Sequence, residues 1–341
     1  MSAALWGITL LWAIVYIYGI AGSVDFGAGF WSMVFYRDRD VRASTIANRY
    51  LSPLWEVTNV FLVLFDVALV GLFPTAVLVL GNILLVPGGL ILIFLTIRTV
   101  FMVYAHTIDE YQRPLRIVSG VTGLVIPALI MTIFPISEGG NFLVNVGGRL
   151  TLSPSLFLQT PALYFYILLG ISSELFLSAL ILGDYALVGK DATAYRVYRK
   201  HALWLGPLNM AVALLTALSI ARPAAWLERN MVAHWPWFVA SGCLFIIGYA
   251  LMVTSGTDLN RRFRWASVAI VAQYGCAMMG YGLAHLPYLV YPAVTINESF
   301  TNSAMFRAVI VVLILGLAVL FPGFVWFWRV FLANRPYATK P

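Results

Sequence analysis

Charge is what this sequence has least of. Of its 341 residues, 10% are Asp, Glu, Lys or Arg, against about 25% in an ordinary soluble domain, while 61% are hydrophobic. A bilayer core about 30 Å thick needs roughly 20 apolar residues per helical crossing, and runs of that length recur along the whole chain. They leave no stretch for a sizeable soluble domain, so an integral membrane protein is expected throughout. The first residues, M-S-A-A-L-W-G, carry no basic region. The apolar run behind them, Leu5 to Phe35, is far longer than the roughly 7 to 15 residues of a signal peptide, so it is expected to be a retained span.

Cysteine and histidine are scarce as well. Cys243 and Cys276 both fall in apolar runs, which reads as two buried thiols and no disulfide. His106, His201, His234 and His285 all fall at the ends of apolar runs. A helical haem protein needs axial ligands facing its interior, so bound haem is not expected, and no His and Cys cluster has metal-site spacing. Neither a G-x-x-x-x-G-K-[ST] loop nor a strand-turn-helix G-x-G-x-x-G is present, which leaves nucleotide-driven chemistry without support. The net charge of +7, which in a soluble protein would raise nucleic acid as a partner, serves here as a topology signal.

What the chain does have is nine apolar spans: Leu5 to Phe35, Leu51 to Leu80, Ile83 to Tyr104, Ile117 to Ile136, Leu156 to Val188, Leu203 to Ala221, Trp235 to Thr254, Trp265 to Ala284 and Ala304 to Trp328. Alternate connections collect sixteen basic residues on one side, and the other side has only Arg149, Arg222, Arg229 and Arg307. By the positive-inside rule the N-terminus is outside and the C-terminus cytoplasmic. Gly139-Gly140 and Gly147-Gly148, with Ser137, Asn141 and Asn145, mark an outer loop of turn residues. Trp235-Pro236-Trp237-Phe238 and Trp326-Phe327-Trp328 suit interfacial aromatic belts.

A weak internal echo pairs the long first span, its basic loop and Pro53-Leu54-Trp55 with the long fifth span, its basic loop and Pro207-Leu208-Asn209. Each proline is expected in the first turn of the following helix, where its missing N–H costs nothing. The echo suggests a first four-helix unit over 1–136, a second over 155–284, and a ninth helix over 303–330.

Ionisable residues inside spans are costly, and each is a functional candidate. Asp25 stands in the first span, Glu56 and Asp66 in the second, Arg98 in the third, and Glu174 and Asp184 in the fifth. At about 1.5 Å per residue, Asp25, Glu56 and Arg98 lie roughly 15, 8 and 9 Å from the cytoplasmic ends of their spans. Two readings stand side by side: Arg98 pins helices by neutralising an acid, or the set carries protons, since a carboxylate removed from water can exchange its proton near neutral pH. One guanidinium cannot neutralise two ionised acids, and that surplus favours the second reading. Gly19, Gly22, Gly27 and Gly29 around Asp25 allow close helix approach. Glu174, beside Ser172 and Ser173, reads as a relay group or a serine-satisfied charge; Asp66 has no visible partner; Asp184 reads as a counter-charge to the following basic loop.

With Asp25-Phe26-Gly27-Ala28-Gly29 in a long first span, Leu54-Trp55-Glu56-Val57-Thr58-Asn59 opening the second and Arg98 in the third, the chain resembles subunit II of cytochrome bd quinol oxidase, in the form found in Gram-positive bacilli. The resemblance spans essentially the whole chain. Many relatives read Trp-Asp-Gly-Asn where this chain reads Trp55-Glu56-Val57-Thr58, so the acid is kept in a longer form and the amide falls at Asn59. The residues after Arg98 depart from relatives that place further charge there.

The resemblance implies an all-α fold of two four-helix bundles plus a peripheral helix, in the bacterial cytoplasmic membrane. It implies a partner, subunit I, carrying two haems b and one haem d and oxidising quinol with oxygen. This chain is then expected to hold no cofactor or metal itself, to stabilise subunit I and to pass it protons. Asp25 is expected as relay carboxylate, Glu56 as the group taking protons up, Arg98 as the group setting their proton affinity, and Trp55 as shaping the site or contacting the partner. Asp66, Glu174 and Asn59 are further relay candidates. Quinone and lipid are expected neighbours, nucleic acid is not, and a third, single-span subunit is left open. The competing expectation is a stand-alone proton-coupled transporter.

Overall fold

The computed structural model describes residues 2–36, 41–105, 112–221, 223–256 and 261–328, and within α2 the side chains of 48–57 lie outside that description. Arg37, Arg39, His106 and Arg335 also fall outside it. The chain is built almost entirely from helices: α1 (Ala3–Val34), α2 (Val41–Leu72), α3 (Pro74–Ile83), α4 (Leu85–Ala105), α5 (Gln112–Met131), α6 (Ile133–Glu138), α7 (Pro154–Leu158), α8 (Pro161–Val188), α9 (Ala192–Ile220), α10 (Ala225–Ala233), α11 (Trp235–Thr254), α12 (Arg262–His285), α13 (Ile296–Ser299) and α14 (Ser303–Trp328). Among the described residues, six stretches are long and apolar enough to cross a membrane, or seven if α2 and α3 form one bent span. In α4 and α14 the described apolar stretches are shorter.

Local chemistry sets the boundaries. Ser2 caps α1, its hydroxyl accepting from Leu5 N at 3.3 Å, and Asp191 caps α9 by accepting from the N–H groups of Thr193 and Ala194, both at 3.1 Å; each satisfies donors that a helix start leaves orphaned. Pro161 opens α8 and Pro236 lies in the first turn of α11, as proline prefers. Pro53 and Pro207 do not follow that rule. Both lie well inside helices, because α2 and α9 begin in the basic stretches ahead of their apolar runs, at Val41 and Ala192.

The expected second span is broken. After Leu72 the chain turns by 118° into α3. Phe73 precedes Pro74, and a residue before proline is pushed out of helical geometry; its φ of −132° and ψ of 59° are not helical. Hydropathy does not fall at this corner, so the apolar run conceals it.

α1 packs on α2, α5 and α8, α8 on α9, and α11 on α12. One core cluster joins Trp31 and Phe35 of α1 to Phe176 of α8, Tyr195 and Tyr198 of α9, and Phe263 of α12. A second gathers Leu72, Phe73, Phe142, Phe157 and Val290 beneath two small hairpins, and a third holds Tyr166, Ile220, Leu227 and Ala284. The hairpins are β1 (Leu143–Val146) with β2 (Arg149–Leu152), and β3 (Tyr288–Val290) with β4 (Val294–Thr295), both antiparallel. Gly147 and Gly148, at φ +59° and +80°, make the two-residue turn between β1 and β2 that favours such residues. Cys243 is exposed on α11, not buried, and Cys276 is half-buried; both are free thiols.

Candidate functional site

The most deeply buried charge pair joins α1 to α4. Asp25 and Arg98 are each 1% exposed, and Arg98 Nη2 lies 3.4 Å from Asp25 Oδ1. The same nitrogen donates to the Asp25 backbone oxygen at 2.9 Å, while Nη1 donates to the backbone oxygen of Ser119 on α5 at 2.7 Å and to its hydroxyl at 3.3 Å. The guanidinium also lies 5.0 Å from the centre of the Phe26 ring. Such a fork uses the planar donor set that distinguishes arginine from lysine.

Glycine makes the approach possible. A Cβ at Gly29 would stand 2.8 Å from Ser119 Oγ and 3.0 Å from Arg98 Nη1, and one at Gly27 would collide with the side chain of Ser178 on α8. Trp31, one turn on, donates its indole N–H to Ser178 Oγ at 2.9 Å. The glycine run in the first span therefore seats α1 against α5 and α8 at once.

Glu174 lies on α8 beside this crossing, 0% exposed, with its backbone oxygen 3.2 Å from where a Gly27 Cβ would be. Its serine neighbours do not satisfy it. Ser172 and Ser173 both donate to Asn209 Oδ1 on α9 at 2.9 Å, and Asn209 Nδ2 donates to Tyr274 OH on α12 at 2.7 Å. Of the remaining candidates, Asp66 is exposed on α2 and Asn59 half-buried on the same helix. Trp55 and Glu56 also lie on α2, with their side chains outside the described residues. Half-buried Asp184 stands 4.0 Å from Arg264 Nε, so its counter-charge comes from the basic start of α12 and not from the loop that follows its own helix.

A second polar centre was missed. Glu138, at the end of α6 and 2% exposed, accepts at Oε1 from the hydroxyl of Tyr166 on α8 and from that of Tyr281 on α12, the latter at 2.9 Å. Trp226 of α10 donates to its backbone oxygen at 3.1 Å. Beside it, His285 Nδ1 faces the Tyr288 carbonyl at 3.0 Å, so that nitrogen carries the proton and donates, while Nε2 faces Ser137 Oγ at 3.5 Å. In the sequence Glu138 looks like a loop residue past the end of a span; its one signal was the tyrosines placed at the outer parts of two other spans.

His201 and His234 each turn Nδ1 to the carbonyl four residues back, at 2.8 and 2.9 Å, and His285 is committed to the outer centre. Among the described residues no three His, Cys, Asp or Glu side chains group as a metal site.

Helices crossing a bilayer around a buried, multiply hydrogen-bonded ion pair define a polytopic membrane protein with a polar centre in its core. Comparison with known proteins makes this specific. Residues 3–331 match the family cytochrome bd terminal oxidase subunit II. The chain is 42% identical over 341 residues to the cytochrome bd menaquinol oxidase subunit II of Bacillus subtilis (strain 168), covering 99% of this chain and 98% of that protein. Its fold is similar to a chain of the bd oxidase from Geobacillus thermodenitrificans, with a TM-score of 0.81 and 36% identity, covering 98% of this chain and 100% of that one. The chain belongs to the cytochrome bd terminal oxidase subunit II family. It is a subunit of a bd-type quinol oxidase in the bacterial cytoplasmic membrane, a membership that does not favour a stand-alone transporter.

Proposed function

We propose that this chain is the haem-free half of the oxidase core, bracing a haem-bearing subunit I and conducting cytoplasmic protons toward oxygen reduction. The redox chemistry belongs to haems b and d in that partner, and menaquinol, the substrate in the name of the Bacillus subtilis relative, is the quinol oxidised. The chain crosses the membrane nine times, as two four-helix units (1–136 and 155–284) and a peripheral helix (303–330), with its N-terminus outside. Quinone and lipid are further neighbours of the assembled complex.

The observation that carries this reading is the Asp25–Arg98 centre. A buried ion pair is weak support for stability, because desolvation consumes most of its attraction, so its presence in a membrane core calls for another use. Glu56 takes protons up near the cytoplasmic end of α2 and Asp25 stands on their route, with Arg98 holding the local field. Trp55 shapes the mouth of that route against the partner, and Asn59 and Asp66 continue the polar positions of α2 toward mid-membrane. The test is the intact complex carrying Asp25→Asn. Oxygen consumption driven by quinol is expected to fall about a hundredfold, the size of effect that follows when a proton-transfer step is impaired, with haem content unchanged. Full activity with an unaltered pH profile overturns the reading.

A further inference from the structure

Among the described residues, Glu174 is the one fully buried carboxyl with neither a hydrogen bond nor an ion pair. Among the described residues, neither of its side-chain oxygens has a hydrogen-bond partner, although both are fully buried, and the Nε of Arg98 is orphaned in the same way. Buried polar groups are almost always paired, and an exception calls for a physical cause. Arg98 and Asp25 both lie within electrostatic range of Glu174, yet Glu174 makes no ion pair among the described residues, because the guanidinium is committed to Asp25 and Ser119.

The charge count follows. One cation faces two acids, and Asp25 takes it. An ionised carboxylate without counter-charge or hydrogen bonds is too costly to keep in an apolar interior, whereas a protonated one needs only a polar neighbour. Two orphaned carboxyl oxygens on α8 and an orphaned donor on α4 each want a partner that the protein does not give, and water is suited to supply it. The titratable and charged groups acting on Glu174 from the packed helices are Asp25 of α1 and Arg98 of α4. From α9 and α12 come Asn209 and Tyr274, which bond to each other and to its serine neighbours.

We propose that Glu174 is the group of this centre whose proton moves, bridged by water to Arg98 Nε, while Asp25 stays ionised as the fixed partner of Arg98. This rests on the proton-conducting reading above and assigns the roles within it. Loading breaks an O–H bond of a protonated water and forms one at a Glu174 carboxylate oxygen; release reverses it. No electron moves, and the Asp25–Arg98 pair is never broken.

The test compares the intact two-subunit oxidase carrying Glu174→Gln, Glu174→Asp and Asp25→Asn. It reads turnover, haem content and the infrared difference spectrum in the carboxylic-acid carbonyl region in water and heavy water. Glu174→Gln is expected to lose a heavy-water-sensitive carbonyl band and slow turnover about a hundredfold with haem intact, and Glu174→Asp to recover part of both. Wild-type turnover with the band retained in Glu174→Gln, while Asp25→Asn is slow, overturns this assignment and leaves proton conduction standing. If both variants turn over normally, the conduction reading falls and takes the assignment with it. Should Glu174→Gln fail to assemble, the wild-type complex labelled with heavy-carbon glutamate or aspartate decides: a band that moves with glutamate supports the proposal, and one that moves only with aspartate overturns it.

Discussion

A single guanidinium holds three helices together, and its geometry is what a substitution would disturb. Arg98 bonds to Asp25 on α1 through both side chain and backbone, and to Ser119 on α5. Lysine keeps the charge but has no fork to span these acceptors. Arg98→Ala strands a buried carboxylate, and breaking such a pair typically costs about 3–5 kcal/mol. Thermal unfolding of the purified complex should therefore rank wild type above Arg98→Lys and that above Arg98→Ala; equal stability of the first two means the fork is dispensable. At the outer centre, Glu138→Ala leaves the hydroxyls of Tyr166 and Tyr281 without their acceptor, at about 1–3 kcal/mol for each buried orphan. Glu138→Gln keeps a carbonyl oxygen in place and should be the milder change in the same assay. That Arg98 would take an acid as partner was legible in the sequence, because a charge in a membrane span must find one; which acid was not. The isolation of Glu174 was not, since its serine neighbours seemed to offer hydroxyls that the fold directs to Asn209.

Between elements, the crossing of α1 and α8 depends on what Gly27 lacks. A side chain there meets Ser178 directly, while Gly19, two turns earlier on the same helix, faces open space. Gly27→Val should therefore push the helices apart at a cost of about 1–3 kcal/mol and reduce the yield of assembled complex. Gly19→Ala should be neutral or stabilising by up to about 1 kcal/mol, through helix propensity alone. Similar yields of the two variants would show that the crossing tolerates a gap. Hydropathy located the apolar helices well because membrane burial demands it, with α11 spanning Trp235–Thr254 as expected. It missed helix starts in basic stretches, where caps and not apolarity decide, and it read through the corner at Phe73, where only the dihedral constraint before a proline gives the break away.

Across the whole molecule, one outward face stands out. Asp66 is exposed on α2 among exposed Val63, Val67 and Val70, and it makes no hydrogen bond or ion pair among the described residues. A carboxyl turned toward lipid at this depth is costly, so the assembled oxidase is expected to cover it with a hydrogen-bond donor. Asp66→Asn should preserve co-purification of the partner subunit, and Asp66→Lys should reduce it. Equal recovery of the partner with both variants would place this face against lipid. The family of the chain was legible from motif, span length and charge alternation together; the face it offers its partner was not, because spacing alone does not say which side of a membrane helix meets protein.

The corner between α2 and α3 carries one more implication, for the order in which the molecule is made. The carbonyls of Gly71 and Leu72 accept from Thr301, whose hydroxyl lies 2.9 Å from the first and whose backbone N–H lies 3.0 Å from the second, and the N–H of Ala76 donates to Ser299 Oγ at 2.7 Å. Those partners lie more than two hundred residues downstream. During synthesis, helices α1 to α12 exist before the corner has its own capping groups, and the ends left bare at α2 and α3 stay unmet until the segment leading into α14 emerges. The short α13 and the residues that follow it are thus the keystone of an early bend: a ribosome that stops before residue 299 releases a chain whose second helix has no finished end.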